Sequence, residues 1–174
     1  LDLSKIEAEK LAVDLSALNV VQLVHDIESI IQPLAQEKQL TLNIDYQLPL
    51  PRTIYSDVTR LKQILINIAN NAVKFTENGS VSICVHYLQA SQKLEFVIKD
   101  TGIGMSEHQI ERVFKPFEQA DATTTRRFGG TGLGLCISKN LALLLGGDVT
   151  LESEVGVGSR CTIRVSCQLS DDQP

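Results

Sequence analysis

Several features that would indicate other classes of protein are missing from this sequence of 174 residues. None of its four cysteines forms a CxxC pair, so the usual spacing of a zinc site or a redox dithiol is absent, and we expect reduced thiols. No stretch approaches the ~20 apolar residues of a membrane-spanning helix, and the charged N-terminus lacks the apolar core of a signal peptide. The net charge of −5 lacks the basic excess of a nucleic-acid surface, so we expect no nucleic-acid partner.

What is present is the composition of one soluble globular domain, with 43% hydrophobic and 21% charged residues. The chain begins without Met and with a helical apolar pattern over residues 1–12. We therefore expect a piece of a longer protein that starts at the end of a helix. The phosphate-loop pattern GxxxxGK(S/T) is absent, and no repeats or low-complexity tracts occur.

The spacing of apolar residues switches between helical and strand-like periods along the chain. It predicts helices near 19–38, 57–75, 106–114 and 133–145, and strands near 40–46, 81–87, 94–98, 149–153 and 161–168. Asn19 with Gln22 and Ser106 with Gln109 have the spacing of capping boxes, and Pro33 should kink its helix or mark a wrong boundary. LPLPRT is predicted as a loop. Because regular βαβ alternation is missing, we predict an α+β two-layer sandwich with helices on one face of a mixed or antiparallel sheet.

The helical segment NIANNAVKF carries an unusual polar set. Asn67, Asn71 and Lys74 are spaced four and three residues apart, so they project from one side of the helix, whereas Asn70 lies about 100° round from Asn71. An amide oxygen is a good neutral ligand for a hard cation, and a lysine supplies a point charge for phosphate. The alternative is a polar stripe on a half-exposed helix.

Three glycine-rich segments also have possible roles in binding. In DTGIGM (100–105), Asp100 can accept a hydrogen bond from an adenine amino group, and the glycines allow close backbone approach to a flat ring. GGTGLGL (129–135) opens a helix, whose free N–H groups suit phosphates. GVGS (156–159) reads as a tight turn. The alternatives are an ordinary turn for the first segment and a flexible hinge for the second.

The order of these segments resembles the catalytic domain of bacterial sensor histidine kinases. RLKQILINIANNAVKFT resembles the asparagine box of that family, DTGIGM, GGTGLGL and GVGSR its three glycine boxes, and VFKPFEQAD its phenylalanine box. LDLSKIEAEKL is similar to the end of the second helix of the dimerisation and phosphotransfer domain. The sequence of residues 117–135 most resembles that of hybrid kinases, which carry a receiver domain downstream. The resemblance implies the Bergerat ATP-binding fold of the GHKL superfamily.

The resemblance also implies a set of site residues for ATP and Mg²⁺. It makes Asn71 the Mg²⁺ ligand, brings Asn67 and Lys74 to the phosphates, and gives Asn67, Lys74 and Arg126 catalytic roles. The remaining nucleotide contacts that it implies are Phe75, Asp100, Gly102, Ile103, Gly104, Gly130, Thr131, Gly132, Leu133, Gly134 and Ser159.

Two positions qualify this implied site. Many family members have Arg near the end of the phenylalanine box, where this chain has Gln119, and either Arg126 or Arg127 can supply the missing charge. In the hydrolysing relatives, a Glu that activates water stands one turn before the magnesium ligand. Here that residue is Asn67, and an amide cannot act as a base. We therefore expect ATP binding with little hydrolysis.

The resemblance implies that the phosphoryl acceptor is a histidine in a separate domain. His25, His86 and His108 lie in no segment like HEIRTPL and read as ordinary surface or boundary histidines. The expected organisation is a phosphotransfer-helix tail at 1–12, the catalytic domain at 13–170 and a tail or linker at 171–174. We expect a monomeric piece that does not phosphorylate itself, cut from a homodimeric kinase whose cytoplasmic part is anchored at the inner membrane. The alternatives are an ATPase clamp, which Asn67 disfavours, and a pseudokinase that only binds protein partners.

Overall fold

The computed structural model describes residues 14–113 and 134–169 of the chain. The helices in these ranges are α1 (Val20–Glu37), α2 (Val58–Lys74), α3 (Glu107–Val113) and α4 (Gly134–Leu144). The strands are β1 (Ser16–Asn19), β2 (Thr41–Tyr46), β3 (Thr53–Ser56), β4 (Ser80–Leu88), β5 (Lys93–Asp100), β6 (Asp148–Glu154), β7 (Gly158–Ser166) and β8 (Gln168–Leu169). No helix in the described ranges is long and apolar enough to cross a membrane.

Five of these strands form a mixed sheet in the order β2-β4-β5-β7-β6. Strand β2 runs parallel to β4, and all other pairs are antiparallel. Alternate residues of β4, β5 and β7 are buried in one apolar core with the helices; among them are Val81, Ile83, Leu94, Phe96, Ile98, Cys161 and Ile163. The other face of these strands carries mostly polar and charged side chains, together with Cys84 and Val97. The predicted α+β sandwich is therefore confirmed.

Helix α2 lies at the centre of the helical layer, because it packs against both α1 and α4. It begins where the side chain of Asp57 accepts a hydrogen bond from the backbone N–H of Arg60 and caps the first turn. Seven apolar residues are buried along it: Leu61, Ile64, Leu65, Ile68, Ala69, Ala72 and Val73. The helix ends at Lys74 with Phe75 as its cap, so its boundaries match the predicted ones to within one residue.

Two local predictions need correction, and a third is decided in part. The end of LPLPRT is strand rather than loop, because Thr53 begins β3, which lies between β1 and β8 in a second, three-stranded sheet. Asn19 caps α1, but Gln22 bonds Asp26 instead of completing the predicted capping box. Helix α1 runs through Pro33, so Pro33 does not mark a wrong boundary, and the kink stays a prediction. By contrast, Ser106 and Gln109 form both bonds of their capping box.

Candidate functional site

The polar residues of α2 lie on the side of the helix that faces away from the core. Asn67, Asn71 and Lys74 are each half-buried, whereas their neighbours Ile68 and Ala72 are buried. The 3.6-residue period that buries one stripe of the helix therefore presents these two amides and one ammonium together. Asn70 is half-buried as well.

Asp100 lies at the end of β5 and is only 8% exposed. Its Oδ1 accepts the backbone N–H of Gly102 at 2.9 Å and of Ser159 at 3.3 Å. Burial raises the pKa of this carboxyl group, and the two backbone donors oppose that rise. Since both donors bind Oδ1, Oδ2 remains to accept a donor from a ligand.

The segment after Asp100 packs directly on the end of α2. A Cβ added to Gly102 would overlap the carbonyl oxygen of Phe75, so only glycine allows this close approach. The N–H of Ile103 donates to the same carbonyl oxygen at 3.1 Å. Asp100 and the polar residues of α2 therefore belong to one site, whose two halves meet at Phe75. Ile103 is 36% exposed beside them.

Ser153, which the sequence analysis did not identify, holds the other side of this segment. Its hydroxyl accepts the N–H of Met105 at 2.7 Å, donates to the carbonyl of Gly158 at 2.9 Å and lies 2.8 Å from the hydroxyl of Ser159. The sequence signal was the β6–β7 hairpin, in which Ser153 pairs with Ser159 across the strands.

We expect Ser153→Ala to destabilise the domain by about 1–2 kcal/mol, because it leaves the N–H of Met105 and the carbonyl of Gly158 without their side-chain partner. Urea unfolding measures this change. Ser29→Ala is the matched control, because the exposed Ser29 hydroxyl bonds only a carbonyl of its own helix, and its loss should cost under about 0.5 kcal/mol. Equal costs for the two variants would contradict a positioning role for Ser153.

Of the remaining predicted site residues, the structure describes three and leaves five outside its described ranges. Gly104 and Ser159 lie in the site, on the segment after Asp100 and on β7. Gly134 is the first residue of α4, which packs on α2. Arg126, Gly130, Thr131, Gly132 and Leu133 lie outside the described residues.

This arrangement has a counterpart among known protein families. Residues 56–169 match the family described as histidine kinase-, DNA gyrase B-, and HSP90-like ATPase. The chain belongs to this family. The matched range contains Asp100 and the polar residues of α2.

Relatives of this ATPase-family chain are sensor kinases. It is 37% identical over 171 residues to the autoinducer 2 sensor kinase/phosphatase LuxQ of Vibrio cholerae, covering 97% of this chain and 20% of LuxQ. It is 37% identical over 166 residues to the aerobic respiration control sensor protein ArcB of Escherichia coli K12, covering 95% of this chain and 21% of ArcB. The chain thus spans about one fifth of the length of these relatives.

Solved structures show the same fold. Full-length ShkA in complex with AMPPNP superposes with a TM-score of 0.86 at 30% identity, over 97% of this chain and 34% of ShkA. The nucleotide-free catalytic domain of histidine kinase ThkA gives a TM-score of 0.74 at 22% identity, over 88% of this chain and 95% of that one.

Proposed function

We propose that this domain binds ATP with Mg²⁺ and transfers the γ-phosphoryl group to a histidine of a separate dimerisation and phosphotransfer domain. The observation that carries the proposal is the site at Phe75, where a buried carboxylate with one available oxygen meets the helix turn that presents Asn71 and Lys74. This arrangement provides a hydrogen-bond acceptor for the adenine base, a metal ligand and a phosphate-binding cation on adjoining elements.

The nucleotide fits this site on two grounds. Asp100 is buried and bonded on one oxygen only, which suits recognition of an exocyclic amino group. Gly102 leaves the segment without a side chain at its closest approach to α2. In the proposal, Phe75, Ile103 and Gly104 complete the adenine pocket, and Ser159 supports Asp100. Residues 130–134 would surround the phosphates, and Arg126 would supply charge.

Magnesium fits the chemistry of Asn71, whose amide oxygen is a neutral ligand for a hard cation. Among the described residues there is no group of three or more His, Cys, Asp or Glu side chains that could hold a metal ion. A cation at Asn71 would therefore take its other ligands from phosphate oxygens and water, as Mg²⁺ commonly does. Bound there, the ion would neutralise phosphate charge, while Lys74 holds the phosphates from the same helix face.

The nature of residue 67 favours transfer to a histidine over hydrolysis. Asn67 precedes Asn71 by one turn of α2, and its amide cannot take a proton from water. Catalysis here would rest on positioning and charge neutralisation, which phosphoryl transfer mainly requires. Of the chain's own histidines, His25 lies on α1, His86 on β4 and His108 on α3, so none is on α2 beside Asn71 and Lys74. We expect no phosphohistidine on this chain.

Isothermal titration with a non-hydrolysable ATP analogue, with and without Mg²⁺, tests the metal site. We expect Mg²⁺ to strengthen binding to the unaltered chain, and Asn71→Ala to remove that gain, about tenfold for one lost ligand contact to a charged group. Asn70→Ala is the matched control, because it removes the neighbouring amide on another side of the same helix. Equal losses in both variants would contradict the assignment of Asn71, and no binding to the unaltered chain would contradict the proposed function.

The proposal extends to the parent protein. Residues 1–12 would be the tail of the second phosphotransfer helix, 13–170 the catalytic domain and 171–174 a tail or linker toward a receiver domain. We place the domain on the cytoplasmic side of a homodimeric kinase anchored in the inner membrane. Mixing this chain with ATP·Mg and a phosphotransfer domain should label only the latter with acid-labile phosphate. Label on this chain alone would refute the assignment of the acceptor.

A further inference from the structure

The end of helix α1 reaches the end of helix α2 through one side chain. The Nζ of Lys38 donates to the carbonyl oxygens of Val73 at 2.7 Å and Lys74 at 3.0 Å. Carbonyls in the last turn of a helix lack their usual partner four residues on. Lys38 therefore adds a donor to the C-terminal end of α2 from a position 35 residues earlier in the sequence, and it shares the Val73 carbonyl with the N–H of Thr76 at 3.3 Å.

The backbone around Lys38 is fixed by the way α1 terminates. Gln39 has a left-handed backbone with φ of 59°, and the N–H of Leu40 donates to the carbonyl of Ala35 at 2.9 Å. This is the pattern of a Schellman motif. A residue with a Cβ adopts the left-handed conformation at a cost of about 1–2 kcal/mol, so surrounding contacts must hold it. Burial lowers the pKa of the Lys38 ammonium, as expected for a cation placed partly inside the fold.

The turn that Lys38 holds is the one that carries the proposed ligands. Asn71 and Lys74 belong to the last turn of α2, and Phe75 is its cap. The carbonyl end of a helix is the negative end of its dipole, which disfavours a triphosphate nearby. A lysine in the last turn can also bond its own helix carbonyls. With Lys38 already on these oxygens, the ammonium of Lys74 remains available for phosphate.

We propose that Lys38 is a positioning residue for the nucleotide, which holds the last turn of α2 so that Asn71, Lys74 and Phe75 meet ATP together. This role rests on the proposed function, because it presumes that ATP binds at that turn. Lys38 bonds the carbonyls of the helix end, and the role proposed for it requires no contact with the ligand.

The test compares Lys38→Met, Lys38→Arg and Lys62→Met. Methionine keeps an apolar stem and removes the charge and donors, whereas arginine keeps both. Lys62 also joins α2 to α1, through Asp26 at 3.1 Å, but from the beginning of α2. Lys62→Met therefore makes the same change in net charge and removes another bridge between the same helices.

We expect Lys38→Met to raise the Kd for the Mg²⁺-bound ATP analogue about five- to tenfold, measured on folded protein. Lys38→Arg should restore most of the affinity, and Lys62→Met should leave it unchanged. Hydrogen exchange without nucleotide should be faster in Lys38→Met at the amide of Ile103, whose partner is the carbonyl of Phe75.

The outcomes separate this inference from the proposed function. If the unaltered chain binds no nucleotide, the proposed function fails and the role of Lys38 fails with it. If the unaltered chain binds and Lys38→Met binds equally well, with only a lower Tm, Lys38 is merely structural and this inference alone is overturned. An equal loss in Lys62→Met would also overturn it, because the effect would then come from charge or general helix packing.

Discussion

Asp100→Asn is expected to weaken binding of ATP about 10- to 100-fold while raising the Tm of the empty domain. The affinity falls because Asn presents an amino group where Oδ2 would accept the adenine amino group, so two donors face each other. Its own carbonyl oxygen can keep the bonds from Gly102 and Ser159. Inosine triphosphate, which has an oxygen in place of that amino group, should lose less affinity than ATP, and titration of both nucleotides measures the difference.

The rise in Tm follows from the direction of the pKa shift. Burial raises the pKa of Asp100 above its unfolded value. The folded state therefore binds the proton more tightly, and this contribution to stability is fully present below about pH 4 and lost as pH rises through the folded pKa. Above the folded pKa, the ionised carboxylate makes the empty domain less stable than the protonated form would, and the neutral isostere removes that effect.

The control for both measurements is Asp45→Asn, which changes the net charge equally at an exposed position of β2. It should alter neither the affinity nor the preference between the two nucleotides.

In the unaltered chain, ATP affinity should also fall as pH is lowered through the pKa of Asp100. The pH profile of Asp100→Asn provides the baseline for titration of the phosphates. An unchanged affinity in Asp100→Asn would remove Asp100 from the base pocket.

Local signals made much of this site predictable. Asp57 and the apolar stripe of α2 fixed both ends of the helix that carries Asn67, Asn71 and Lys74. The alternation in β4 and β5 fixed the hairpin that ends at Asp100. Each pattern depends on residues only a few positions apart, so it can be recognised without knowledge of the tertiary structure.

Features made by distant pairing were not predictable in the same way. The short strand β3 exists because Ile54 pairs with both Leu18 and Leu169, and no period within four residues indicates this. The β6–β7 hairpin places Ser153 opposite Ser159 without indicating its bond to Met105, and Lys38 is an ordinary polar residue in sequence. Their roles arise from contacts with Met105 and Val73, 48 and 35 residues away. A motif can indicate which residues meet the ligand, but the residues that position them depend on the folded arrangement.

Gly104→Ala should destabilise the domain more than Gly156→Ala does. Both have left-handed backbones, with φ of 70° and 81°, so alanine costs about 1–2 kcal/mol at either position from the backbone alone. A Cβ on Gly104 would also overlap the carbonyl of Glu154, whereas one on Gly156 meets nothing within 4 Å. Overpacking of this kind adds about 1–3 kcal/mol.

The difference in unfolding free energy between the two variants therefore measures how closely the segment after Asp100 packs on the β6–β7 turn. At this turn the N–H of Gly156 donates to the carbonyl of Ile103 at 2.8 Å. Urea unfolding should place Gly104→Ala below Gly156→Ala in stability. Because we expect relief of the overlap to shift Ile103 from the carbonyl of Phe75 and Met105 from the hydroxyl of Ser153, Gly104→Ala should also lose ATP affinity, while Gly156→Ala should keep it. Equal stabilities and affinities would mean that glycine is needed at 104 only for its backbone angle.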